Sequence, residues 1–190
     1  RYNKHTTHNT QHKGFTMSNN TITLDQLNSV SAMGSNDHQY TPENNAASYA
    51  ASLMTSVDRG TRIESVIHKM IQGMGYTAHQ TAPTHAWDIT LDLPTGPVKI
   101  EVKSAMMGTN ASNGKGQFMF QNISPDHFDY IVFAFVHPTQ GIVLKWLTQS
   151  EFTDWSWNRT ESRNGYNLVT RETMDHRTIE FHDFEDFPEV

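Results

Sequence analysis

Apolar positions recur along this chain at two different spacings, and each change of spacing marks an element. In "RGTRIESVIHKMIQGMGY", Ile63, Val66, Ile67, Met70, Ile71 and Met74 stand three and four residues apart. That is the period of a helix with one buried face. Gly75 follows where a terminating residue is expected, and Tyr76 opens an extended segment. The next stretch, "AWDITLDLPTGPVKIEVKSAM", alternates apolar and polar positions, as a half-buried strand does, with Pro94-Thr95-Gly96-Pro97 as the turn of a hairpin. Upstream, "TPENNAASYAASLMTSV" opens with the helix-start signal Thr41-Pro42-Glu43 and predicts a helix over roughly 43–57, broken or capped by Asp58 and Gly60.

Downstream, "KGQFMFQNI" predicts a short second helix ended by Pro125. "FDYIVFAFVHP" is almost continuously apolar, the mark of a strand buried on both faces, and "GIVLKWLT" reads as its neighbour. The order helix, three strands, helix, two strands predicts an α/β or α+β layered domain around a mixed central sheet. Between Met17 and Tyr40 the pattern is irregular. After Ser150 it weakens again, although Asn164-Gly165 is a turn signal between segments that can pair. The acidic end with Asp183, Glu185, Asp186 and Glu189 reads as a solvated tail.

Composition narrows the picture only in places. With 190 residues, 36% of them hydrophobic, one core suffices. The expected organisation is a flexible tail and lead-in over 1–40 and a single domain over 41–190, with 151–190 as a variable extension. The polar, His-rich opening "RYNKHTTHNTQHKGFT" is a poor candidate for packing, and His5, His8 and His12 there read as solvated rather than metal-binding. Met17 has the form of a native start, so the preceding residues are expected to be vector-derived or frame-extended. A formal charge of −6 argues against a basic protein that coats nucleic acid, but leaves room for a local positive cleft. The absence of cysteine excludes disulfides, thiolate metal sites and a catalytic thiol. No apolar run approaches membrane-spanning length, and a cytoplasmic setting is expected.

Candidate chemistry centres on the hairpin. In "PVKIEVK", Val98, Ile100 and Val102 share one face while Lys99, Glu101 and Lys103 share the other. In "WDITLDL", Trp87, Ile89, Leu91 and Leu93 oppose Asp88, Thr90 and Asp92. A symmetric four-residue loop makes paired residue numbers sum to 191, placing Asp88 opposite Lys103 and diagonal to Glu101. A divalent cation fits between such carboxylates, and hard Mg²⁺ prefers oxygen donors while keeping waters and phosphate oxygens in its remaining positions. A metal held this way generates hydroxide and stabilises charge on a phosphodiester under attack. A solvent-facing hairpin shows the same alternation, so spacing alone does not decide. Glu64, between the apolar positions Ile63 and Val66 rather than on the fully polar helix face, adds a further acid.

Asp88, Glu101 and Lys103, with Glu64 on the preceding helix, resemble the signature of the PD-(D/E)xK, or restriction endonuclease-like, nucleases. The resemblance covers roughly residues 58 to 147 and includes the order of elements; Trp87 stands where the name-giving proline would be. It implies an α/β fold with an αβββαβ core and a mixed central sheet flanked by helices. It also implies Mg²⁺ as cofactor, with Mn²⁺ able to substitute. Asp88 and Glu101 would ligate the metal, with the Val102 carbonyl as an extra ligand. Lys103 would position the nucleophilic water, Glu64 would hold a second metal or its waters, and Asp92 remains a surface acid.

The later strands look like those of type II restriction endonucleases, while "RGTRIESVIHKMIQGMGY" and "EVKS" are also similar to Holliday-junction resolvases. Acidic charge and the segment after Trp146 favour a sequence-specific duplex endonuclease, with a junction resolvase or repair nuclease second and a catalytically silent DNA-binding module as the non-enzymatic alternative. Base reading would fall to Asn110, Asn113, Lys115 and Gln117 after the catalytic strand and to Arg159, Arg163 and Asn164, with Asn158, Arg171 and Arg177 nearby, while Gln121 on the second helix would touch the active site or the DNA backbone. Trp155 and Trp157 read as buried aromatics, and His176 and His182 carry no assignment. Cutting both strands of double-stranded DNA with one site per chain calls for a homodimer.

Overall fold

A computed structural model describes residues 20–27, 39–154, 159–162, 165–176 and 179–188, with backbone alone at 159–162. In chain order the elements are β1 (Thr21–Ile22), α1 (Leu24–Leu27), α2 (Ala46–Ser52), α3 (Ser56–Gly73), β2 (Ala78–Gln80), β3 (Ile89–Leu93), β4 (Gly96–Thr109) and β5 (Gly116–Ile123). They continue with β6 (Tyr130–His137), β7 (Gly141–Thr148), α4 (Gln149–Asp154), β8 (Arg159–Ser162), β9 (Gly165–Arg171) and β10 (His182–Asp183). The ten strands form one mixed sheet in the order β1-β7-β6-β4-β5-β9-β8, with β10 also on β7 and the β2–β3 pair on β4. Among the described residues, only β4 and β6 run parallel, and every other pairing is antiparallel.

Two apolar clusters cover the two faces of the sheet. On one side, Ile63, Val66, Ile67, Met70 and Ile71 of α3 pack with Ile89, Leu91, Ile100, Val102, Val132 and Ala134. Complete burial of Ile63, Ile67 and Ile71 contributes about 1.5–3 kcal/mol apiece. On the other side Ala105, Ile131, Phe133, Phe135 and Leu147 meet Phe118, Phe120 and Leu168, as β5 and β9 curl under the sheet. Phe118 and Phe120 meet Phe135 edge to face, at 5.0 and 4.9 Å. β6 is buried along nearly its whole length, as its continuous apolar run predicts.

Several expectations need correction. The single helix over 43–57 is two elements: α2 ends at Ser52 with Leu53 as its C-cap, and Thr55 caps α3. The Thr55 Oγ1 accepts the Asp58 N–H at 3.1 Å and donates to Asp58 Oδ2 at 2.7 Å. Asp58 and Gly60, expected to break or cap the 43–57 helix, therefore lie inside α3, and Asp58 helps start it. The far end follows the sequence: Gly75 has φ +99°, Tyr76 N–H bonds the Ile71 carbonyl and Gly75 N–H the Gln72 carbonyl, a Schellman ending.

"KGQFMFQNI" forms no helix. It is β5, with Phe118 and Phe120 buried and Met119 and Gln121 exposed, a period of two that outweighs its short length. The αβββαβ order expected from the resemblance is thus not reproduced: between β4 and β6 stand a strand and a 3-10 turn over Pro125–His127. Glu185 and Asp186 of the acidic C-terminal end are exposed, but the segment is docked rather than a free tail, since Asp183 pairs with Lys145 at 3.1 Å and Phe184 and Phe187 are buried; Glu189 lies outside the described residues. Thr21–Ile22 of the lead-in also joins the sheet, pairing with β7. β8 and β9 pair as the Asn164-Gly165 signal suggests, Ser162 opposite Gly165.

What positions the site is the unequal use of β4's two edges. One edge pairs with β6 from Ile100 to Met106. The other pairs with β3 through Ile100 and with β5 only from Met107. Among the described residues, no strand pairs with residues 101–106 on that second edge. Tyr40, completely buried, locks the far end: its hydroxyl accepts the Met107 N–H at 2.8 Å and donates to the Val136 carbonyl at 2.7 Å, where the β4–β6 ladder stops.

Candidate active site

The opening in the β4 edge is where the four sequence-predicted residues meet. The hairpin register differs from the expected one: Leu93 pairs with Gly96 and Ile89 with Ile100, so paired numbers sum to 189 rather than 191. The turn is the two residues Pro94 and Thr95. Continued by one step, this register sets Asp88 against Glu101 rather than Lys103, bringing the two acids closer than the symmetric loop would.

Asp88 sits where β3 begins and is pinned from both sides. Its N–H donates to the Ile100 carbonyl at 3.0 Å, and its own carbonyl accepts the Thr81 N–H at 2.9 Å. Its side chain then takes over from the missing strand: Asp88 Oδ2 accepts the Val102 N–H at 2.7 Å. Amide and carbonyl of one strand residue point the same way, and alternate residues alternate. Lys99 faces Asp129 on the β6 side, while Ile100 faces Asp88. Val102 therefore turns its carbonyl into the opening.

Glu101 is buried, 7% exposed, and Lys103 extends from the same face with its ammonium on Glu101 Oε1. Glu64 reaches the group from α3, with the side-chain-free Gly60 one turn before it; a Cβ there would stand 3.6 Å from Glu64 Oε1. Electrostatics tie the four together. The Glu64 carboxyl is pushed up to about 7, by burial first and then by the Asp88 charge, with Lys103 opposing and Glu101 adding to the rise. Burial also pushes Glu101 up to about 7, against the pull of the Lys103 ammonium and with Asp88 adding to the rise. Asp88 is raised by burial, opposed by the Val102 N–H and by Lys103. Charges that act on one another in this way share one low-dielectric site.

The donor set suits a hard divalent cation: carboxylate oxygens plus a backbone carbonyl. Asp88 Oδ1 and Glu101 Oε2 carry no hydrogen bond among the described residues, so each acid keeps an oxygen to offer. As they stand, no three His, Asp or Glu groups among the described residues are closed round a single point; the acids converge on the opening, with Lys103 supplying the countercharge.

The expected DNA-reading residues fare differently. Asn110, Asn113, Lys115 and Gln117 lie together at the β4–β5 hairpin and line a groove of about 760 Å³ with Arg171 and His176. Six residues of β4 separate Lys103 from this end, about 20 Å at a strand's rise. Two of the four are occupied in shaping the turn. Asn110 Oδ1 accepts from Ser112 and its amide donates to Gln117, while Asn113 Oδ1 accepts the Lys115 N–H. Gln121 is on a strand, not a helix, exposed on β5. Arg171 pairs with Asp175 at 2.6 Å on the surface. The side chain of Arg159, and Asn158, Arg163, Asn164, Arg177, Trp155, Trp157 and His5, His8 and His12, lie outside the described residues.

Asp92 is an exposed acid, as expected, paired with His79 at 2.8 Å. His182, left unassigned, stacks on Trp146 at 4.3 Å and bonds Glu151 at 2.7 Å. The sequence reading missed the surroundings of Trp87, whose ring was expected on the apolar face with Ile89. Its indole N–H donates to Thr90 Oγ1 at 2.8 Å, and the Lys99 ammonium lies 4.7 Å from its ring centroid. The ring therefore covers the polar face beside the acids. An aromatic directly before Asp88 and a lysine one alternate position before Glu101 were the available signal.

No family model matches the chain, and no curated protein matches it. Among solved structures, a bacterial homing endonuclease matches at 13% identity, covering 64% of this chain and 81% of its own, with a TM-score of 0.42. So slight a likeness transfers no residue, role or substrate, and the site stands on its own geometry.

Among the described residues, no helix is long and apolar enough to cross a membrane.

Proposed function

We propose that this chain is a Mg²⁺-dependent endonuclease that hydrolyses phosphodiester bonds of double-stranded DNA at specific sequences. The observation that carries the reading is the meeting of Glu64, Asp88, Glu101 and Lys103 at the open edge of β4, three acids raised by shared burial beside one lysine. Asp88, Glu101 and the Val102 carbonyl would hold the cation, with Glu64 on its waters or on a second ion. When bound, the cation supplies a nucleophilic hydroxide and charge stabilisation at the phosphate.

The chain's own residues do the rest. The Val102 N–H fixes the Asp88 carboxylate, so the donor is oriented before any ligand arrives. Lys103, three-quarters buried and rooted two residues from Glu101 on the same face, would hold an attacking water and balance negative charge. Two such chains related by a two-fold axis would cut both strands.

The test is to incubate wild type and Lys103→Ala with phage-length duplex DNA, in Mg²⁺ or in EDTA. Discrete fragments from wild type in Mg²⁺ only, lost in the variant by a factor of at least ~100, are expected. Intact duplex together with a cut four-way junction would replace sequence-specific cleavage by junction cleavage. Neither product in any divalent metal would overturn the enzyme reading in favour of a binding module.

A further inference from the structure

We infer that Lys99, seated against Trp87, is a phosphate clamp that grips the DNA strand one or two nucleotides from the phosphate held at Glu101 and Lys103; the inference rests on the nuclease reading above. Lys99, Glu101 and Lys103 project from one face of β4, each step about 7 Å. A nucleotide advances 3.4 Å along the duplex axis, so one step along β4 spans at most about two nucleotides. The strand pairings extend this face sideways, aligning His79, Thr90 and Lys99 across β2, β3 and β4. It forms a polar shelf beside the acids.

Lys103, its neighbour on this face, sits on Glu101, while Lys69 and Lys115, like Lys99, make no ion pair among the described residues. Among the described residues, no carboxylate lies within ion-pairing reach of the Lys99 ammonium. It rests instead over the Trp87 ring at 4.7 Å. That ring is itself held: its N–H is on Thr90, His85 meets it edge-on at 5.1 Å, and the Thr81 hydroxyl donates to the Trp87 carbonyl.

The Lys99 backbone is fixed as firmly. Its N–H donates to Asp129 Oδ2 at 2.8 Å and its carbonyl accepts the Asp129 N–H at 2.9 Å. A partly exposed cation–π contact is weak, whereas a charge-assisted bond to phosphate is strong. The ammonium is therefore pre-positioned but uncommitted, and an anionic strand leaving the acid site is the complementary occupant. The ring reduces the side-chain freedom lost on binding.

The experiment uses the full chain and a duplex carrying the cut site mapped with wild type. Single phosphates on each side of the cut are replaced by neutral methylphosphonate. Affinity is read by fluorescence anisotropy in Ca²⁺ for wild type, Lys99→Gln, Lys99→Arg and the control Lys69→Gln, an exposed lysine on α3. Neutralising one phosphate, one or two nucleotides from the cut, should weaken wild type and Lys99→Arg about fivefold to tenfold and leave Lys99→Gln, already weakened by that factor, unchanged. The slope of log affinity against log salt should fall by about 0.9 in Lys99→Gln and not in Lys69→Gln.

Equal sensitivity of wild type and Lys99→Gln at every phosphate would overturn the clamp and leave the nuclease reading standing. Failure of wild type to cut any duplex in Mg²⁺ would overturn both. Retained sensitivity in Lys99→Arg separates loss of the charge from loss of the fold.

Discussion

Replacing Glu64 by Gln should stabilise the protein, and only at neutral to alkaline pH. Glu64 is pushed up to about 7 chiefly by burial, with Asp88 and Glu101 adding to the effect. An acid whose folded pKa lies above its unfolded value of about 4.3 binds a proton in the native state that the unfolded chain has released. Stability is then undiminished below about pH 4.3, falls as pH rises through the folded value near 7, and stays low above it. The interval between about 7 and 4.3, at 1.36 kcal/mol per pH unit, gives about 3.7 kcal/mol. Glu64 is half-buried rather than enclosed, and solvent screening reduces this to ~1–2 kcal/mol.

Glutamine has nearly the same shape and no charge to desolvate. In EDTA, Glu64→Gln should match wild type at pH 4.5 and exceed it at pH 8 by ~1–2 kcal/mol, or about 2–8 °C in Tm for a chain of this size. Urea unfolding across pH 4.5–8.5 measures the difference. A gain of equal size at every pH, or a loss at pH 8, would refute the burial argument. Millimolar Mg²⁺ should reverse the order at pH 8, because ligand binding stabilises in proportion to affinity for the native site and the variant has lost an oxygen anion there.

Two further predictions concern the scaffold. Tyr40→Phe removes the hydroxyl that bridges Met107 and Val136 at the end of the β4–β6 ladder; it should lower unfolding free energy by about 1–3 kcal/mol, read by urea denaturation. Gly60 and Gly165 should respond oppositely to alanine: Gly60→Ala meets only ordinary contact with Glu64 and should stabilise α3 by about 0.5–1 kcal/mol. Gly165→Ala, at φ +115° with its Cβ driven into the Ile123 carbonyl, should lose more than about 2 kcal/mol, and matching Tm values for the two variants would contradict this.

Much of the site was legible because side-chain direction along a strand depends on the backbone alone. Val98, Ile100 and Val102 on one face and Lys99, Glu101 and Lys103 on the other follow from a period of two wherever the strand is placed. The α3 stripe, its Gly75 ending and the fully buried β6 are local in the same sense. "KGQFMFQNI" shows the limit: its Phe118 and Phe120 alternate like a strand, but a short apolar segment chooses its state by what it packs against, here Phe133 and Phe135.

The remainder came from long-range packing and pairing. A two-residue turn rather than four shifted the register and set Asp88 toward Glu101. The departure of β3 and the late arrival of β5 opened one edge of β4, which let the Asp88 carboxylate take the Val102 N–H. Local order along the chain sets which residue types stand at which alternate positions. Pairing partners and burial depth are non-local, because they depend on segments far apart in the chain, and they brought Glu64 of a helix within electrostatic reach of acids on two strands and raised them together.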